Sequence, residues 1–111
     1  MWGDGLQIEY KDKSIAKVCT NASVAIRRLG PEMAEKISQR IAEISAVDSV
    51  ETMISCNIGR CHPLIGELKG KYAVDLVQPY RLIFEKKGNE IQIARIMEIK
   101  DYHWFFYIVF Y

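Results

Sequence analysis

The chain has no excess of charge of either sign: its 111 residues carry 15 basic and 14 acidic side chains, a formal net charge of +1 at pH 7. That excludes a protein that coats nucleic acid with its whole surface, so any RNA or DNA site must be local. Long apolar runs are missing too. The one unbroken run, Trp104 to Tyr111, falls far short of the roughly 18 residues a membrane-spanning helix needs. The start, MWGDGLQIEY, has no basic region ahead of an apolar stretch and so does not read as a secretory signal. A soluble cytoplasmic protein that engages no membrane is the expectation. Cysteine is scarce and odd in number. Cys19, Cys56 and Cys61 read as reduced thiols and small buried hydrophobes rather than a disulfide framework. The phosphate-cradling glycine loop, the serine elbow and His-Glu-x-x-His are all absent.

What is present is enough for one core. At 12.8 kDa, with 50% hydrophobic and 26% charged residues, the chain reads as a single small domain over 1–111 with an added apolar tail, 104–111. Leu6 to Tyr10 alternates as a short strand. An ill-defined helical stretch lies between Asp12 and Leu29, with Asn21 a candidate N-cap for Ala22 to Leu29 and Gly30 its stop. Pro31 suits the first position of a clearer helix, in which Met33, Ile37, Ile41 and Ile44 form a core stripe. A short helix is expected from Asp48, with Glu51 in the N3 capping position, before the pattern breaks at Asn57-Ile58-Gly59. The period then changes to two. Tyr72 to Val77, Tyr80 to Glu85 and Ile91 to Ile99 alternate, separated by turns at Gln78-Pro79 and Lys87-Gly88-Asn89. The fold class is α+β: an N-terminal strand and two to three helices packed on one face of an antiparallel β-meander.

The segment 60–87 holds six basic groups against three acidic ones. Arg60, Lys69, Lys71, Arg81, Lys86 and Lys87 are interleaved there with Tyr72 and Tyr80. Cations beside aromatics on a sheet suit a single-stranded nucleic acid, the cations following phosphates and the rings stacking on bases. A solvated sheet face has the same composition. The two histidines, His62 and His103, fall just before the meander and just after its last strand, where an antiparallel sheet can bring them to one end. Two imidazoles near a phosphodiester suit RNA cleavage, one accepting the 2′-OH proton and the other protonating the leaving 5′ oxygen. Taken singly, His62 also fits a turn beside Pro63, and His103 a strand end bonded to backbone. Zinc is not expected, because Cys56, Cys61 and His62 lack the spacing of a ribbon or knuckle.

The ordered series His62-Pro63-Leu64, Gly66, Lys69-Gly70, Tyr72, Tyr80-Arg81, Phe84, Glu98-Ile99 and Asp101-Tyr102-His103 resembles the HigB-type toxins of the RelE/ParE superfamily. The resemblance implies a RelE-like fold and a metal-independent, ribosome-dependent endoribonuclease, an mRNA interferase of a type II toxin–antitoxin system that needs no cofactor. Such toxins enter the ribosomal A site and cut mRNA with the 2′-OH as internal nucleophile. The implied partners are the ribosome, mRNA and a HigA-like helix-turn-helix antitoxin, with operator DNA contacted only through the antitoxin complex. The implied catalytic residues are His62, Asp101, Tyr102 and His103. Arg81 and Lys69 hold phosphate in this reading, and Arg60 and Lys71 join them from the positive segment. The tail 104–111 departs from the family, whose members commonly end near the Asp-Tyr-His. Two alternatives stand beside this one: a non-catalytic ParE-like toxin acting on DNA gyrase, and a protein-interaction module whose partner covers the tail.

Overall fold

Asp12 and Asn21 each open a helix by accepting a backbone N–H three residues on, which short polar side chains do well. The Asp12 carboxylate takes the Ile15 N–H at 3.0 Å and the Asn21 amide oxygen that of Val24 at 3.2 Å. The computed structural model describes residues 5–88 and 92–101. The expectations for Tyr102, His103, the tail 104–111 and the turn residue Asn89 lie outside the described residues. With two caps, the stretch after Asp12 is two helices, α1 (Lys13–Thr20) and α2 (Ala22–Leu29). Gly30, at φ 91°, turns the chain into α3 (Pro31–Ala46), a conformation glycine adopts without steric cost. α4 (Val50–Ser55) starts one residue later than expected. Its cap is Ser49, whose hydroxyl accepts the Thr52 N–H at 3.0 Å, so Glu51 stands at N2 and turns to the sheet instead.

The sheet contains β1 (Gln7–Tyr10), β2 (His62–Pro63), β3 (Lys71–Asp75), β4 (Tyr80–Lys87) and β5 (Ile93–Asp101), in the order β1-β5-β4-β3-β2. The meander β3-β4-β5 is antiparallel as expected, while β1 joins its edge in parallel with β5, Ile8 opposite Ala94. Two corrections follow. His62 is not a turn residue beside Pro63: both belong to a two-residue edge strand, His62 pairing with Ala73. β5 begins and ends two residues later than the alternation indicated. It also bulges, because Ile83 pairs with Glu98 while Phe84 pairs with Ile96, leaving Met97 without a register partner and reversing the side-chain phase.

The helices cover one face of the sheet, as expected. Val74, Leu82, Phe84 and Ile96 of the sheet meet Ile37, Ile44, Val50 and Met53 of the helices, all at most 1% exposed. Each such side chain contributes roughly 1.5–3 kcal/mol through burial. Tyr72 stacks on Phe84 at 5.7 Å between ring centroids. Ile41, counted in the core stripe, is only partly buried. On the other face Leu64, Ala73 and Ile83 form a small second cluster, with Leu68 and Met97 against it. All three cysteines are free thiols. Among the described residues, no helix is long and apolar enough to cross a membrane.

Candidate functional site

Residues paired directly across a sheet point to the same face. Asp75, Arg81 and Lys100 are such partners across β3, β4 and β5, and His62, Ala73, Ile83 and Glu98 form the neighbouring row across β2 to β5. Both rows lie on the face away from the helices. Along β3, Ala73 is flanked on this face by Lys71 and Asp75, each about 6.6 Å away by strand rise. His62 therefore sits level with a point between a lysine and a carboxylate.

The chain reaches His62 through a tight left-handed passage. Asn57, Gly59 and Arg60 have φ of 53°, 57° and 53°. A Cβ on Gly59 would lie 2.9 Å from Arg40 Nε, so the loop packs closely on α3. Arg60 has no glycine's freedom, and a left-handed arginine costs roughly 1–2 kcal/mol. Its guanidinium ends at Asp75, where Nε stands 2.8 Å from Oδ2.

Asp75 takes a second guanidinium on its other oxygen. Arg81 Nε lies 2.8 Å from Oδ1, an ion pair by distance although the N–H is not aligned as a hydrogen bond. Arg81 Nη1 donates to Gln78 Oε1 at 3.0 Å, and Arg40 Nε on α3 donates to the Asp75 carbonyl oxygen at 2.6 Å. The Asp75 and Arg81 side chains are 11% and 8% exposed, whereas that of Arg60 is 64% exposed. Two cations thus share one anion, and the surplus positive charge faces solvent through Arg60. An exposed cation beside a buried, pre-oriented ion pair can receive a phosphate.

His62 is half-buried, and its Nδ1 lies 2.8 Å from the Arg60 carbonyl oxygen. A carbonyl only accepts, so Nδ1 carries the proton of this contact and Nε2 is the second ring nitrogen. The neighbouring Cys61 is no nucleophile at neutral pH: burial pushes its thiol up to about 12, and that of Cys19 up to about 11.

The expected site residues divide accordingly. Arg60, Arg81, Lys71 and His62 share one face of the sheet but do not all converge. Arg60 and Arg81 meet at Asp75, His62 stands level with the middle of β3, and Lys71 begins that strand at its other end, about 13 Å from Asp75 by strand rise. Lys69 is exposed beyond the start of β3, at the end away from Asp75. Asp101 ends β5 at the Asp75 end of the sheet, but its partner Tyr80 packs on the helix-side core, so its pleat faces away from Arg81. Three strand spacings of about 4.8 Å also separate β5 from β2, or ~14 Å. Tyr72 and Tyr80 turn toward the helices and do not offer base-stacking rings on the cationic face. Lys86 likewise faces α4, 2.9 Å from Glu51, and Lys87 pairs with Glu9. Sequence reasoning missed Asp75, though a lone carboxylate within Ala-Val-Asp-Leu-Val was a signal for it.

No protein-family model and no curated protein sequence matches the chain. Solved structures do. The YoeB/ParE toxin from Agrobacterium tumefaciens superposes with a TM-score of 0.60 at 16% identity, over 86% of this chain and 98% of its own. The YoeB-YefM complex from Staphylococcus aureus gives 0.58 at 19% identity, over 86% of this chain and 94% of the chain compared. This α+β chain therefore has the fold of the YoeB/ParE toxins, the RelE-like fold.

Proposed function

We propose that the chain is the toxin of a type II toxin–antitoxin system and acts as a ribosome-dependent endoribonuclease of the HigB kind. The observation that carries this reading is the grouping of His62 and the Arg60–Asp75–Arg81 cluster on the helix-free face, toward the sheet end where β5 finishes at Asp101. The shared fold and the ordered motifs from His62 to His103 support it further.

In this mechanism the 2′-oxygen of a bound ribonucleotide attacks the adjacent phosphorus and the bond to the 5′ oxygen breaks. The products are a 2′,3′-cyclic phosphate and a 5′-hydroxyl end. His62, exchanging its proton at Nε2, and His103 share the transfers: one takes the 2′-OH proton and the other gives a proton to the departing 5′ oxygen. Arg60, backed by Arg81, holds the phosphate as charge builds on it, while Lys71 and Lys69, further along the same strand and its lead-in, are left to neighbouring phosphates of the RNA. Asp101, on the opposite pleat from Arg81, orients His103, and Tyr102 stacks on a base. No metal or cofactor is needed in this scheme. The partners are the ribosome with its mRNA and a HigA-like antitoxin, through which alone operator DNA is met, all within the cytoplasm.

The test is to map mRNA 5′ ends carrying hydroxyl groups after brief expression in a bacterial host. In-frame cuts confined to translated regions are expected. The likeness in fold to the YoeB/ParE toxin from Agrobacterium tumefaciens keeps one rival, inhibition of DNA gyrase. Uncut mRNA together with inhibited supercoiling in a purified assay would replace the nuclease reading with that one.

A further inference from the structure

We propose that Asp75 is a positioning residue of this site, holding the exposed Arg60 guanidinium beside the buried Arg81 so that an RNA phosphate docks on Arg60 next to His62. This rests on the functional reading above, which assigns phosphate binding to the two arginines but gives Asp75 no part.

Three observations carry the inference. The carboxylate divides its oxygens, Oδ2 to Arg60 and Oδ1 to Arg81, both at 2.8 Å. Asp75 is fixed in turn, its main chain by Arg40 Nε donating to the carbonyl oxygen at 2.6 Å and its carboxylate by Gln78 Nε2 reaching Oδ2 at 3.4 Å. Finally, Arg60 is held in a left-handed conformation an arginine rarely adopts, and among the described residues Asp75 is its one side-chain partner. The carboxylate engages Arg60 through Nε, which leaves the two Nη groups of that exposed side chain outside the ion pair, where a phosphate would meet them. The same peptide carbonyl of Arg60 pins His62 Nδ1, so fixing Arg60 also fixes the imidazole.

A purely electrostatic role has the opposite sign. Asp75 removes one unit of positive charge from the cluster, so Asp75→Asn tightens RNA binding if charge alone matters. If Asp75 positions the arginines, the same change weakens binding by about tenfold, the worth of one charge-assisted hydrogen bond. The probe is a fluorescent, uncleavable 2′-O-methyl hexaribonucleotide, with dissociation constants measured for the wild type and Asp75→Asn. Equal or tighter binding by the variant overturns the proposal. The arginine Nε–Hε NMR spectrum gives a second reading that needs no nuclease activity. The Arg60 resonance should move to the position of a solvated arginine in Asp75→Asn, and an unmoved resonance also overturns the proposal.

Should Asp75→Asn fail to fold, because Arg81 then lacks its counter-charge, the neutral pair Asp75→Asn with Arg81→Gln takes its place. Arg60→Gln should weaken RNA binding about tenfold in the wild type but less than about twofold in that background. The same loss in both backgrounds would mean that Arg60 acts without Asp75. A wild type that binds the hexamer and loses affinity in Asp75→Asn, yet cuts no mRNA on ribosomes, would overturn the nuclease reading and leave this inference standing.

Discussion

The Nδ1 atom of His62 lies 2.8 Å from the carbonyl oxygen of Arg60, so the imidazole is oriented by the same residue whose side chain reaches Asp75. Orientation and charge are thus set by one left-handed loop. Replacing His62 by glutamine, which removes the imidazole, should cut mRNA cleavage by at least about a hundredfold. In a bacterial host His62→Gln should therefore no longer arrest growth, with the thermal unfolding midpoint nearly unchanged. Undiminished arrest by a folded variant would remove His62 from the chemistry.

The core prediction concerns Phe84, which is fully buried and stacked on Tyr72. Phe84→Ala should destabilise the protein by about 3–5 kcal/mol in urea titrations. Ile65, at 56% exposure, should tolerate alanine within about 0.5 kcal/mol.

Acid should loosen the join between α4 and the sheet. Glu51 is held down to about 2 by its hydrogen bond from Gln92, then by that from Lys86. A carboxylate held low in the fold stabilises it fully above its ordinary value of 4.5, and that contribution fades as pH falls toward about 2. The stability difference between wild type and Glu51→Gln should therefore shrink over this window, measured by chemical denaturation at low salt. Because the side chain is 61% exposed, added salt should also reduce the difference.

The three thiols should react unequally. Cys56 is exposed, whereas burial pushes Cys19 up to about 11 and Cys61 up to about 12. Iodoacetamide near pH 8 should add one label to the native protein, at Cys56, and three after denaturation, counted by mass spectrometry.

Local chemistry was legible in the sequence. Asn21 announces α2 and the Gly30-Pro31 step announces α3, because a cap or a fixed φ acts within three or four residues. Pairing partners distant along the chain were not. Nothing in Gln7–Tyr10 signals a parallel partner in β5, and a two-residue strand such as His62–Pro63 carries no period. The bulge did leave a mark, since the core residues Ile96 and Ile99 are three apart where a regular strand would have two. The ordered motifs pointed to His62, Arg81 and the other cationic residues, but composition could not show that Tyr72 and Tyr80 turn inward. Asp75 escaped because a charged residue on a strand usually faces water, and its burial depends on two arginines brought in from other segments.

The most direct measurement is cleavage of an end-labelled mRNA on reconstituted bacterial ribosomes by the purified chain, with His62→Gln alongside. The account predicts a cut in the A-site codon that leaves a 2′,3′-cyclic phosphate and a 5′-hydroxyl, with no added metal beyond what the ribosome requires, and its loss in the variant. Intact mRNA with the wild type, or equal cleavage by both proteins, would contradict it.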